Sequence, residues 1–311
     1  MSRQRLLLIL LLLLVLPALL SLRLSIPVEE LIPEYAGPQA RWMDYEGTRV
    51  HYRLEGRGPD LVLIHGTLAS LHTWDGWVEE LKPRFRILRM DLGAFGLTGP
   101  FANRDYSAEA YVRQVRALTA RVGMERFHLA GNSLGGLVAW TYALRHPDQV
   151  DRLVLVNAAG YVPADTTPMV LALGRNPLLR SLVPWFTPEW GTRLMVRSVY
   201  GDPSRIPPAT FRRYQQLFLR EGNRQAYVDY ARSLDIDLLS HRIGEIRHPV
   251  LILWGEKDHV LPVASARRFH QELTDSRLII YPELGHIPME EAPQRTAEDV
   301  RRFLQNQSRA P

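Results

Sequence analysis

Gly131-Asn132-Ser133-Leu134-Gly135 places a serine between two glycines, after an apolar stretch at 127–130 and before a segment of helical spacing at 133–146. A serine on a sharp strand-to-helix turn is lifted clear of the sheet, and the helix start behind it offers free N–H groups and a positive dipole end. Such a hydroxyl is a nucleophile only beside a base, and the base needs an acid to orient it. Two later segments supply both. Gly255-Glu256-Lys257-Asp258 follows the apolar run 250–254, and Gly285-His286 follows the run 278–281. The order serine, acid, histidine, with each group just past a strand, predicts Ser133 as nucleophile, His286 as base and Asp258 as orienting acid. Glu256 is the rival acid and His259 the rival base, while Glu283 reads equally as a surface charge or a pocket residue. Asn157, past the run 153–156, is not acidic and is set aside as an alternative acid. The remaining histidines read as surface or structural groups. His65-Gly66-Thr67 follows the run 60–64. A loop there is expected to aim the Thr67 N–H, together with the Leu134 N–H, at a developing oxyanion. A turn capped by a polar His65 is the plainer account of these residues and conflicts with nothing in that expectation.

These groups need a scaffold that ends several strands at one edge. Short apolar runs at 60–64, 86–90, 127–130, 153–156, 250–254 and 278–281 alternate with helical patterns at 74–81, 107–122, 133–146, 263–273 and 294–304. Strands buried on both faces and alternating with helices predict an α/β fold with a mostly parallel central sheet flanked by helices. Residues 43–54 alternate around Glu46-Gly47 and predict a hairpin. Residues 161–247 break the rhythm with helical patterns and many prolines. They predict a helical cap inserted after strand 6. The expected division is an anchor or signal at 1–25, a linker at 26–42, a core at 43–160 and 248–306, and the cap at 161–247.

In their order along the chain, His65-Gly66, Asp91-Leu92-Gly93-Ala94-Phe95-Gly96, the Ser133 turn, Trp254-Gly255 with Asp258, and Gly285-His286-Ile287-Pro288-Met289-Glu290 resemble the α/β-hydrolase fold family from about Met43 to Leu304. The stretch 35–66 behind an apolar N-terminus resembles membrane-tethered bacterial esterases and lipases, including monoacylglycerol-lipase-like members. The resemblance implies a serine hydrolase of carboxylic esters working through an acyl-enzyme, with neither metal nor organic cofactor. Some positions depart from it. Gly93-Ala94 stands where members often carry a charged residue or proline, and Ile287 stands where carbon–carbon bond hydrolases usually carry Trp. Ser133 occupies the place of the nucleophilic aspartate of epoxide hydrolases and haloalkane dehalogenases, which disfavours both activities. A carbon–carbon bond hydrolase, a cofactor-free perhydrolase, an acyltransferase and a non-catalytic binding protein on the same fold remain the alternatives.

Composition narrows the setting. The 311 residues contain no cysteine, which excludes thiol nucleophiles, Cys-ligated zinc and iron–sulfur clusters. Of 38 basic residues only Lys82 and Lys257 are lysines, and the arginines are interspersed with acids. A net charge of +5 spread in that way predicts a solvated surface and no nucleic-acid partner. Residues 6–22 run 17 positions without a charge, behind Arg3 and Arg5. As a helix they would cover ~25 Å, which suits a short membrane anchor or a secretory signal. The flanking arginines place the N-terminus inside and the body outside the cytoplasm, anchored or, after cleavage, secreted. Between Met169 and Trp190 the cap is dense in apolar residues. Trp185 and Phe186 are the expected substrate-binding walls for an ester or lipid with a medium or long acyl chain.

Overall fold

The computed structural model describes residues 25–161, 169–236 and 238–305. Eight strands form one sheet: β1 (Ala40–Tyr45), β2 (Thr48–Gly56), β3 (Asp60–Ile64), β4 (Arg86–Met90), β5 (Phe127–Asn132), β6 (Val150–Val156), β7 (Val250–Gly255) and β8 (Ser276–Tyr281). Their spatial order is β1-β2-β4-β3-β5-β6-β7-β8, with β1–β2 and β2–β4 antiparallel and every other pair parallel. The β1–β2 turn is Glu46-Gly47, both at positive φ (49° and 77°), as a two-residue hairpin of matching twist demands.

Side-chain alternation explains why the sheet needs cover on both faces. In β3, Leu61 and Leu63 join one core while Val62 and Ile64 join the other, and Leu251/Leu253 against Ile252/Trp254 repeat the pattern in β7. Helices α2 (Asp75–Leu81) and α10 (Pro293–Gln305) cover the first face through Trp77, Val78, Ala297 and Val300. Helices α3 (Ala108–Arg121), α4 (Leu134–Arg145) and α9 (Val263–Glu272) cover the second through Tyr111, Val115, Trp140 and Phe269. The Ser107 hydroxyl caps α3 by accepting from the Ala110 N–H at 3.2 Å.

From β3 the chain moves to one side for β4 and returns to the other for β5. That reversal opens a crevice at the carboxyl ends of the strands, where ligands of open α/β sheets bind. Over this edge, between β6 and β7, lie α5 (Met169–Arg175), α6 (Glu189–Val199), α7 (Pro208–Leu219) and α8 (Asn223–Ser233).

The stretch 26–42, expected as a linker, is ordered instead. Helix α1 (Val28–Tyr35) starts with Glu29 and Glu30 in its first turn, where negative charge suits the helix dipole. Leu31 and Tyr35, one turn apart, pack against Leu97 and Leu217. The Arg53 guanidinium donates to the carbonyls of Tyr35 and Ala36, each at 3.1 Å, and satisfies the end of α1. Residues 40–42 belong to β1. The apolar run 6–22 lies outside the described residues. Among the described residues no helix is long and apolar enough to cross a membrane.

Candidate active site

Ser133 stands between β5 and α4 at φ 55°, ψ −116°. A non-glycine residue held there costs about 1–3 kcal/mol and persists only when its surroundings fix it. Here the Ser133 N–H donates to the Val156 carbonyl (3.2 Å), and its own carbonyl accepts from Leu137 (3.1 Å) and Ala159 (3.0 Å). The flanking glycines are required by space. A Cβ on Gly131 would lie 2.0 Å from the Gly135 carbonyl oxygen, and one on Gly135 would lie 2.1 Å from that of Ile64. Leu134 opens α4, so its N–H has no intrahelical acceptor.

His286 follows β8, and its Nδ1 lies 2.8 Å from Asp258 Oδ2. Asp258 follows β7. Its Oδ1 accepts from the N–H groups of Val260 (2.7 Å) and Leu261 (3.0 Å), and its Oδ2 also accepts from Asn157 Nδ2 (2.7 Å). Burial alone pushes the Asp258 carboxyl up. The His286 ring beside it, with the bonds from Leu261 and Asn157, outweighs that cost and holds it below the usual carboxylate range. A buried carboxylate held ionised against Nδ1 keeps the proton on Nδ1 and leaves Nε2 free to accept one. Glu256 and His259, the rivals, are exposed. Glu283 is exposed and paired with Arg295.

Three polar residues join these pieces. Asn132 Nδ2 donates to the carbonyls of Val156 and His286, both at 3.0 Å, so the residue before Ser133 holds the histidine loop. Asn157, at φ 43°, braces Asp258 and accepts from the Gly255 N–H at 3.2 Å. Glu291 accepts from the N–H groups of Gly285 (2.7 Å) and Gly201 (2.8 Å), while the His286 N–H donates to Val199 O at 2.8 Å. The end of α6 is therefore bonded to the histidine loop. Sequence reasoning dismissed Asn157 and overlooked Glu291. The available signal for Asn157 was its place just past β6, between the strands that carry Ser133 and Asp258.

The Thr67 loop passes beside the serine, since a Cβ on Gly66 would sit 3.0 Å from Ser133 Cβ. His65 is buried, with Nδ1 2.7 Å from Gly66 O and Nε2 accepting from the Leu92 N–H at 2.9 Å. Burial lowers its pKa, which fits this neutral tautomer. Thr67, Ser133 and Leu134 line one narrow cleft, and its other walls include Leu171, Tyr230, Leu234, Ile236, Val260 and Leu261. The Thr67 hydroxyl lies 2.6 Å from the Tyr230 hydroxyl of α8, closing core against cap. Trp185 and Phe186 are not among the lining residues and lie exposed on the cap. Among the described residues no group of three or more His, Asp or Glu is placed to hold a metal ion.

A strained serine at a strand-to-helix turn, a carboxylate-bound histidine on a neighbouring loop and a sheet reversed at β3 form a hydrolase arrangement. A family model of the alpha/beta hydrolase fold matches residues 59–293. The chain belongs to the α/β-hydrolase fold family. An uncharacterized protein of Mycobacterium tuberculosis is 32% identical to this hydrolase over 300 residues, spanning 89% of this chain and 83% of its own. The 2-hydroxy-6-oxo-2,4-heptadienoate hydrolase of Pseudomonas putida is 29% identical over 242 residues, spanning 74% and 83%. Among solved structures, a membrane phospholipase A described as a bacterial virulence factor aligns with TM-score 0.74 and 29% identity, over 97% of this chain and 98% of its own. Hydrolases similar to this one thus include a methyl ester esterase and a hydrolase of an oxo-dienoate.

Proposed function

We propose that this hydrolase cleaves carboxylic esters with medium or long acyl chains. Ser133 Oγ attacks the ester carbonyl and passes its proton to His286 Nε2. The Asp258 carboxylate holds the imidazole in the required tautomer and stabilises the imidazolium. The N–H groups of Thr67 and Leu134 receive the oxyanion. His286 then returns the proton to the departing alkoxide, and water activated by the same nitrogen releases the acyl group from Ser133. The observation that carries this reading is the Asp258–His286 pair at 2.8 Å on the loops beside a serine held at φ 55°. The acyl-chain preference rests on the cleft, whose walls are mainly leucine, isoleucine and valine. At about 0.8 kcal/mol per buried methylene, each carbon added raises kcat/KM roughly fourfold until the cleft is full.

The test is a series of p-nitrophenyl esters of rising chain length, alongside labelling by a fluorophosphonate. Rates that rise beyond butyrate, with labelling abolished in Ser133→Ala, support the reading. Rates that fall from acetate onward leave a hydrolase of small esters. Similarity to the P. putida enzyme keeps carbon–carbon bond hydrolysis as a second reading. Turnover of a 2-hydroxy-6-oxo-dienoate faster than any ester would establish that reading instead.

We also propose that residues 6–22 tether the chain to a membrane, with the catalytic body outside the cytoplasm. Support comes from their charge-free run behind Arg3 and Arg5 and from the likeness to a membrane phospholipase A. Carbonate-resistant sedimentation with membranes tests it, and a soluble chain beginning near Arg23 would show a cleaved signal.

A further inference from the structure

Several large apolar residues of the cap neither line the cleft nor pack into the core. Helix α6 buries Thr192 and Val196 and turns Trp190 and Leu194, one turn apart, outward at 64% and 60% exposure. The preceding segment does the same. Its turns are held by local bonds: Asn176 Oδ1 accepts from the N–H groups of Leu178 (3.0 Å) and Leu179 (3.1 Å), and Trp185 N–H donates to Leu182 O (3.0 Å). Those turns present Leu178, Leu182 and Trp185, at spacings of four and three, with exposures of 80%, 55% and 69%. A water-facing helix does not ordinarily carry tryptophan and leucine at such positions, and a run of large exposed apolar groups marks an interaction surface.

The chain's own path indicates what covers it. Ile26 N–H donates to Leu219 O (2.9 Å) and Ile26 O accepts from Glu221 N–H (2.8 Å), so the chain enters the fold at the end of α7. Ile26 also shares a cleft with Glu189 and Arg193 of α6, the residues next to Trp190 and Leu194. The charge-free run ends at Leu22, four residues before Ile26, a reach of at most ~14 Å. A bilayer holding that run therefore comes up against α6. We infer that the outward face of 178–194 docks on the lipid surface of the membrane in which residues 6–22 are anchored, seating the cap in the interface. This rests on the membrane tether proposed above and adds to it a second contact, made by the cap itself. Tryptophan and leucine suit the boundary between headgroups and acyl chains, and the exposed Arg197 on the same helix suits anionic headgroups. Helix α5 connects the two environments, with Leu171 lining the cleft and Leu173 exposed.

Tryptophan fluorescence tests this directly. Trp74, Trp77, Trp140 and Trp254 are fully buried and Trp42 is half-buried, so Trp185 and Trp190 are the exposed pair. The full chain is reconstituted into phosphatidylcholine vesicles with bromine on the upper acyl carbons. The expected result is quenching of part of the emission, lost in Trp185→Phe/Trp190→Phe. Leu182→Glu/Leu194→Glu should slow hydrolysis of an ester embedded in the vesicles about tenfold, with a soluble butyrate ester unaffected. Unquenched emission from chain that floats with the vesicles overturns the docking and leaves the tether standing. Tryptophans shielded from both bromolipid and aqueous acrylamide would mean a second copy covers the face, which also overturns it. Chain that does not float overturns tether and docking together, whereas the ester reading stands or falls on the soluble substrate alone.

Discussion

Asp258→Asn changes one atom in a site built entirely of donors. Oδ2 of the native carboxylate faces His286 Nδ1 (2.8 Å) and Asn157 Nδ2 (2.7 Å), and Oδ1 faces the N–H groups of Val260 (2.7 Å) and Leu261 (3.0 Å). Asparagine offers one acceptor and one donor to those four positions. With its amide NH2 toward Val260 and Leu261, two buried N–H groups lose their acceptor. At about 1–3 kcal/mol each, that orientation costs about 2–6 kcal/mol. With its NH2 toward His286, the imidazole answers by moving its proton from Nδ1 to Nε2, and only Asn157 is left opposed, at about 1–3 kcal/mol. The second orientation is therefore preferred by about 1–3 kcal/mol, and its Nε2 cannot accept the Ser133 proton. That preference alone removes roughly 5- to 150-fold of the rate. Loss of the carboxylate opposite the imidazolium brings the expected fall in kcat to about 10³–10⁴. Steady-state hydrolysis of a p-nitrophenyl ester measures it, and thermal unfolding shows whether the variant is folded. A folded Asp258→Asn enzyme within tenfold of the parent refutes the reasoning, as does a larger loss in the exposed Glu256→Gln.

His286→Ala should abolish turnover, while His259→Ala, at an exposed site, should leave kcat within about threefold; equal losses in the two variants would remove His286 from its role. Glu291→Gln puts a donor NH2 against Gly285 or Gly201 and should lower kcat about tenfold with little change in KM, since it displaces the histidine loop and leaves the cleft intact; a change confined to KM would contradict this. Ile236→Trp fills the cleft and should shift the best ester toward shorter chains, each lost methylene being worth about 0.8 kcal/mol, and an unchanged chain-length profile would place the acyl group elsewhere. Acid should unfold the protein partly through Asp91. Burial pushes its carboxyl up, but the bonds from the His51 ring and the Leu71 N–H hold it well below the usual range. A depressed native pKa gives stability that is complete above the unfolded value near 3.9 and is lost as pH falls below it. Asp91→Asn should therefore lower Tm at pH 7 and flatten its fall below about pH 4, and an acid limb of unchanged slope would show that other groups govern it.

What the sequence made legible follows the range of the forces involved. The strands of the parallel sheet are runs such as Asp-Leu-Val-Leu-Ile at 60–64, apolar on both faces, and they announce themselves without knowledge of their neighbours. The serine turn is equally local, because Gly131 and Gly135 are dictated by backbone a few residues away or by the adjoining strand. Helix α1 was hidden by its surroundings. Pro27 and Pro33 read as breakers, and the eight residues acquire helical order only where Leu31 and Tyr35 meet Leu97 and Leu217.

The cap was least legible, because composition reports that a residue is apolar and not which way it points. Trp185 and Phe186 carry the strongest apolar signal of their segment yet face outward, while the cleft is walled by single residues from α5, α8 and the loops at 234–236 and 260–261. No period in sequence joins Leu171 to Val260. The same reasoning covers the braces of the site. Asn157 meets Asp258 across 101 residues and Glu291 meets Gly201 across 90, so each polar choice makes sense only once β6, β7 and the end of α6 stand side by side. Catalytic groups on this fold are thus announced by the turns that carry them. The residues that wall the cleft and hold the histidine are chosen by contacts between elements, and one large insertion can rearrange those contacts without altering a single one of those turns.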